Sequence, residues 1–167
     1  MSAVRIYLVR HAIAAERGRD WPDDSKRPLI RKGVERMRQT VRGLAELGVR
    51  VDVVLTSPFV RAVQTAEILA DGLTPRPSIV ETPSMTPEEA PTSVARVLEP
   101  YRRAKAVALV GHEPGIGRLA AWLLGAAEPI EFKKGGVCCV ESASLPPDGR
   151  ARLIWHATPA MLRALAE

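Results

Sequence analysis

The chain has 167 residues, 46% hydrophobic and 26% charged, a balance that excludes a disordered polymer and suits one domain with its own core. Aromatics make up 4%, so that core is aliphatic. Lys and Arg number 24 against 19 Asp and Glu; the surplus favours an anionic partner, but the cations are dispersed and form no nucleic-acid-binding block.

Val4 to Val9 is a short β-rich run ending in Arg10-His11. It is too short and too charged for a signal peptide. A polar stretch from Ala14 to Arg27 follows, long for a connection and therefore a candidate functional loop. From Gly33 the spacing of Val34, Met37, Val41, Leu44 and Leu47 predicts a helix that Gly48 ends. Val51 to Leu55 reads as a second strand. Thr56-Ser57-Pro58 then predicts a helix start, with Ser57 as N-cap and Pro58 at the first helical position. Phe59, Val63, Ala66 and Ala70 define the expected inner face of that helix.

Ser78 to Glu81 is a third, short strand, and three prolines make residues 82–91 irregular. A helix is expected over Thr92 to Arg103, disturbed near its end by Pro100. Ala106 to Val110 is a fourth strand, followed by Gly111-His112-Glu113-Pro114 and a helix through Leu124. Val137 to Ser142 and Arg152 to His156 predict a hairpin across the turn at Pro146-Pro147-Asp148-Gly149. A short helix over 158–166 closes the chain. The adjacent Cys138 and Cys139 fit neither a disulfide framework nor CxxC spacing and read as strand residues in a reducing compartment. The longest nearly apolar run, Leu119 to Ala127, is below membrane-spanning length. A cytoplasmic protein is expected.

Strands alternating with helices predict an α/β fold with a mainly parallel sheet. In such sheets ligands bind beyond the carboxyl ends of the parallel strands. The first strand delivers Arg10 and His11 there, the second Ser57 with Arg61 a turn later, and the fourth His112. Two helix N-termini open at the same rim and, with the arginines, suit a phosphate. His156 lies near a strand end without comparable neighbours and reads as structural.

Leu8-Val9-Arg10-His11, Ser57-Pro58-x-x-Arg61-x-x-Gln64-Thr65 and the late Gly111-His112 resemble the histidine phosphatase superfamily. The short length and Asp24-x-x-Arg27-Pro28-Leu29-x-x-x-Gly33 are similar to its SixA-type phosphohistidine phosphatases. One departure is Ala12, where the family usually has Gly. The resemblance implies a single domain over residues 1–167, a three-layer, phosphoglycerate mutase-like sandwich with helices on both faces of the sheet. It implies that His11 is the nucleophile and that Arg10, Arg61 and His112 hold the phosphoryl oxygens. Arg27 and Ser57 are further candidates for substrate contact. A proton donor for the leaving group is sought among Asp24, Glu88, Glu89 and Glu113, with Asp24 ranked first. Arginine charges are expected to keep His11 neutral. No cofactor or metal is required.

The expected partner is a phosphohistidine-bearing protein or, alternatively, a small phosphorylated metabolite, with no nucleic acid or membrane and a monomeric chain. A phosphoglycerate-type mutase is disfavoured, because the chain lacks room for the substrate-enclosing insertions. Gly115-x-Gly117-x-x-Ala120 mimics a dinucleotide fingerprint, but His112 and Pro114 intervene and no acid closes a second strand about twenty residues on. A metal hydrolase using His11, His112 and Glu113 conflicts with the flanking arginines. A non-catalytic phosphohistidine-binding module would not need His11.

Overall fold

Alternate residues of the first strand serve two different cores. In the computed structural model, which describes residues 2–148 and 150–167, β1 (Val4–Arg10) lies inside a six-stranded sheet. Val4, Ile6 and Leu8 pack into one apolar cluster, while Tyr7 and Val9 pack into another. This period of two is what a strand buried on both faces requires.

Beside β1 run β4 (Ala106–Gly111), parallel to it, and β5 (Val137–Ser142), antiparallel to it. β2 (Val53–Thr56) and β3 (Ser78–Glu81) continue the parallel side, and β6 (Ala151–Ala157) pairs antiparallel with β5. The order is β3-β2-β4-β1-β5-β6. Gly149 of the expected turn between β5 and β6 lies outside the described residues. α1 (Arg31–Glu46), α2 (Val60–Asp71) and α5 (Pro159–Leu165) supply Met37, Leu44, Ala66, Leu69 and Leu162 to the core on one face. α3 (Pro91–Val97) and α4 (Gly115–Leu124) supply Val94, Ile116, Leu119 and Leu123 on the other. The fold is thus a three-layer α/β sandwich with a mainly parallel sheet.

Cys138 and Cys139 point to opposite faces, each into a different core, and both thiols are free and buried. Burial pushes the Cys138 thiol up to about 12, so it is inert. Among the described residues no helix is long and apolar enough to cross a membrane.

Three local expectations are corrected. Ser57 does not cap α2: its N–H still donates to the Val110 carbonyl at 3.1 Å, prolonging the strand ladder, and Phe59 takes the N-cap position. The inner face of α2 is Arg61, Ala62, Thr65, Ala66, Leu69 and Ala70: the expected Ala66 and Ala70 are on it, whereas Phe59 and Val63 are only half-buried. The helix is rolled so that Arg61 and Thr65 meet the loop after β1. The segment expected as one helix to Arg103 is α3 and a separate 3-10 turn at Glu99–Tyr101, because Pro100 cannot donate and its ring would clash with the preceding turn.

Candidate active site

β2, β4 and β1 are consecutive in the sheet, and their carboxyl ends are level: Thr56 is opposite Val110, and Arg10 is opposite Gly111. The ladder continues one residue further, with His11 N–H donating to the Gly111 carbonyl at 3.0 Å. This register sets His11 beside His112, their ring centroids 5.1 Å apart and their planes at 55°.

His11 is buried, and its Nδ1 lies 2.7 Å from the carbonyl oxygen of Ala12. A carbonyl oxygen can only accept, so Nδ1 is the protonated nitrogen and Nε2 keeps the lone pair. Ala12 is fixed in turn: its N–H donates to Thr65 Oγ1 at 3.0 Å, and that hydroxyl donates to the Arg61 carbonyl at 2.7 Å. Described residues other than glycine all have negative φ, so Ala12 meets no backbone demand for glycine. Burial is the main force holding the His11 pKa down to about 3; the Ala12 carbonyl opposes it, and Arg61, Arg10 and Arg27 add to it. The neutral ring expected from the arginines therefore has burial as its leading cause.

His112 Nε2 is 2.8 Å from Ser57 Oγ, and the Phe59 N–H donates to that same oxygen at 3.2 Å. Its Nδ1 is buried without a partner among the described residues. Burial, then the neighbouring His11 and Arg61, lowers its pKa to about 2. The Phe59 ring packs 5.0 Å from that of His112 and 5.1 Å from the Arg61 guanidinium carbon.

The polar loop after β1 returns to the site. A bridge between Ala14 and Leu29 closes its base, and a 3-10 turn at Asp24–Lys26 brings Asp24 under α2. There Asp24 Oδ1 accepts from Arg27 Nε at 2.8 Å and Oδ2 from Arg61 NH2 at 3.0 Å. Arg27 NH1 donates to the Ala15 carbonyl at 2.5 Å, and Arg10 NH1 to the Phe132 carbonyl at 2.6 Å. Burial alone would raise the Asp24 carboxyl, but the hydrogen bonds from Arg27 and Arg61, with their charges, hold it below the usual carboxylate range. An anion held so firmly has no proton to give near neutral pH, which opposes the expected role of Asp24 as general acid.

The other carboxylates expected as donors lie elsewhere or are occupied. Glu113 caps α4, its Oε1 taking the Gly117 N–H at 2.8 Å and its Oε2 the Phe132 N–H at 3.4 Å. Glu88 and Glu89 are exposed on the loop before α3, Glu88 facing Arg118 at 3.6 Å. Gly117 serves close packing against the Ile130 carbonyl rather than a dinucleotide. His156 packs on Phe132 at 4.8 Å between ring centroids.

Arg10, His11, Arg27, Arg61 and His112 line one cavity of about 340 Å³, with Arg17, Lys134 and two carboxylates, Glu16 and Glu113, among its other walls. Ser57 and Asp24 act on it through His112 and Arg61. Sequence reasoning quoted Thr65 within the Ser57–Thr65 motif but gave it no role, and it passed over Lys134. The four-residue step from Arg61 to Thr65, which places them on one helix face, was the available signal for Thr65; nothing local marks Lys134.

The family model for the histidine phosphatase superfamily (branch 1) matches residues 6–85. Phosphohistidine phosphatase SixA of Escherichia coli is 30% identical over 166 residues, 96% of this chain and 97% of that protein. An uncharacterised protein of Picosynechococcus sp. is 35% identical over 158 residues, 92% of this chain and 90% of its own length. The solved structure of the protein histidine phosphatase SixA complexed with tungstate matches with a TM-score of 0.84 at 28% identity, over 95% of this chain and 99% of that one. On sequence and fold together, the chain belongs to the histidine phosphatase superfamily, among its SixA-type members.

Proposed function

We propose that this phosphatase hydrolyses phosphohistidine carried on a protein, passing the phosphoryl group through His11. The observation that carries the reading is the Nδ1 contact of His11 with the Ala12 carbonyl, which leaves Nε2 as a neutral nucleophile in a cavity walled by Arg10, Arg27 and Arg61. Nε2 attacks phosphorus, a new N–P bond forms, and the N–P bond to the substrate imidazole breaks. The phosphorylated ring becomes cationic, and the Ala12 carbonyl stabilises it by accepting from Nδ1–H. Arg10 and Arg61 match the charge spread over the phosphoryl oxygens in the loose transition state, and the neutral His112 beside His11 offers a ring N–H. Water then attacks phosphorus, the bond to His11 Nε2 breaks, and inorganic phosphate leaves.

The state of two candidate donors in the expected set, Asp24 and Glu113, favours a phosphoramidate over an ester. Asp24 is an engaged anion and Glu113 is bonded to backbone N–H groups. An alkoxide needs a proton as it departs; an imidazole, with a conjugate-acid pKa of about 6.5, needs far less help. The likeness to a protein named phosphohistidine phosphatase, and to a structure holding the oxyanion tungstate, supports the same reading.

The test is initial phosphate release from a histidine-phosphorylated protein and from small phosphate esters, with wild type and His11→Ala. Faster release from the protein, lost in the variant by on the order of 10⁴-fold or more, is expected. Faster release from an ester would move the function to metabolite dephosphorylation. Wild-type rates in His11→Ala would remove the nucleophile.

A further inference from the structure

A second and larger cavity, about 580 Å³, shares Arg10 and Lys134 with the catalytic one. It runs between α1, the loop before β5 and the start of α5. Ile13, Met37, Phe132 and Pro159 give it apolar walls. Its cations are Arg10, Arg36, Lys133, Lys134 and Arg163, and the acid among its lining residues is Glu131. Arg36, Lys133, Lys134 and Arg163 form no ion pair among the described residues, so with Arg10 the groove carries five cations against one acid.

A second observation points to an occupant. Thr40 lines this cavity and is 1% exposed, yet its hydroxyl has no hydrogen-bond partner among the described residues. Thr65, equally buried in α2, donates to the carbonyl four residues back. Unsatisfied buried polar groups are uncommon and costly.

We infer that this groove docks the segment of the substrate protein flanking the phosphohistidine, and that the segment presents acidic side chains together with apolar ones. The inference rests on the protein-substrate reading above. Charge complementarity selects the acidic character, and the walls select the apolar one. Arg10 and Lys134 are walls common to the groove and the catalytic cavity, so a chain whose phosphohistidine enters one has its neighbouring residues beside the other. A small phosphorylated metabolite fills the catalytic cavity and has no use for the groove.

The experiment uses synthetic phosphohistidine peptides, alike except for Glu-Leu, Ser-Gly or Lys-Leu flanks, with free phosphohistidine as the reference. Wild type is compared with the surface variant Arg36→Glu/Lys133→Glu/Arg163→Glu, which leaves the residues of the catalytic cavity in place. Wild type should prefer the Glu-Leu peptide over the Lys-Leu peptide by about tenfold in kcat/KM, mainly through KM and less at high salt. The variant should lose or invert that preference while turning over free phosphohistidine at the wild-type rate. A wild-type rate indifferent to the flanks, or a variant that keeps the preference, overturns the groove's role alone. Turnover of phosphate esters with none of any phosphohistidine substrate overturns the substrate reading and the groove with it.

Discussion

Arg61 and Asp24 are joined twice: Arg61 NH1 donates to the Asp24 carbonyl oxygen at 2.8 Å, and NH2 to Oδ2 at 3.0 Å. Arg61 is 1% exposed, and a guanidinium that buried needs a partner to hold its charge and its direction. Asp24 supplies both, from a loop 37 residues earlier. The carboxylate thus fixes Arg61 at the cavity, and on the proposed reading it is a positioning residue.

Asp24→Asn tests that role. The amide keeps one acceptor but loses the charge, and charge-assisted hydrogen bonds are worth about 1.5–3 kcal/mol each. Turnover should fall by roughly tenfold to a hundredfold on phosphohistidine and on esters alike, with the shape of the pH–rate profile unchanged. A general acid would behave otherwise: its loss would spare the phosphoramidate and remove the limb of the profile that reports its titration. Rate measurements from pH 5 to 9 on both substrate types separate the two.

The histidine pair makes stability depend on pH. Burial is the first cause holding His11 to about 3 and His112 to about 2, and both return to about 6.5 in the unfolded chain. Between pH 6.5 and about 3 the unfolded chain therefore binds more protons than the folded one. Stability rises with pH across that window and is lost as pH falls through it. Well below pH 6.5 each histidine contributes a slope approaching 1.4 kcal/mol per pH unit, to order of magnitude. Urea titrations at pH 7, 6 and 5 should show the loss, and His11→Gln/His112→Gln should flatten it whatever its absolute stability. An unchanged slope in the double variant would assign the acid sensitivity to other groups.

Thr65 holds the Ala12 peptide that selects the His11 tautomer. Thr65→Val keeps the shape and removes the oxygen, leaving a buried N–H unpaired at a cost of about 1–3 kcal/mol. Stability should drop by that amount and kcat by about tenfold, while KM changes little. Thr65→Ser should restore both. A Val variant with wild-type kcat would mean that the Ala12 carbonyl does not depend on this bond.

The strands and the cationic groups at their ends were legible because both are local. Apolar runs ending in Arg10-His11, Ser57 and Gly111-His112 name the strands, and parallel pairing carries their carboxyl ends to one edge. Local patterning failed where a neighbour distant in sequence decides. Ser57 reads as an N-cap until the Val110 carbonyl takes its N–H, and the inner face of α2 shifts because Arg61 must reach Asp24.

Residue type and order by themselves determined the α/β class with its mainly parallel sheet and the cationic and imidazole side chains that the strand ends carry, since strand periodicity and the alternation of strands with helices are written in short-range pattern. Tertiary structure alone decided the state of those side chains. Burial more than charge keeps His11 neutral, one carbonyl chooses its tautomer, and two arginines turn Asp24 from an apparent proton donor into a fixed anion. Protonation and hydrogen-bond direction follow from the whole environment of an atom, and that environment is assembled from segments that do not neighbour one another in the chain.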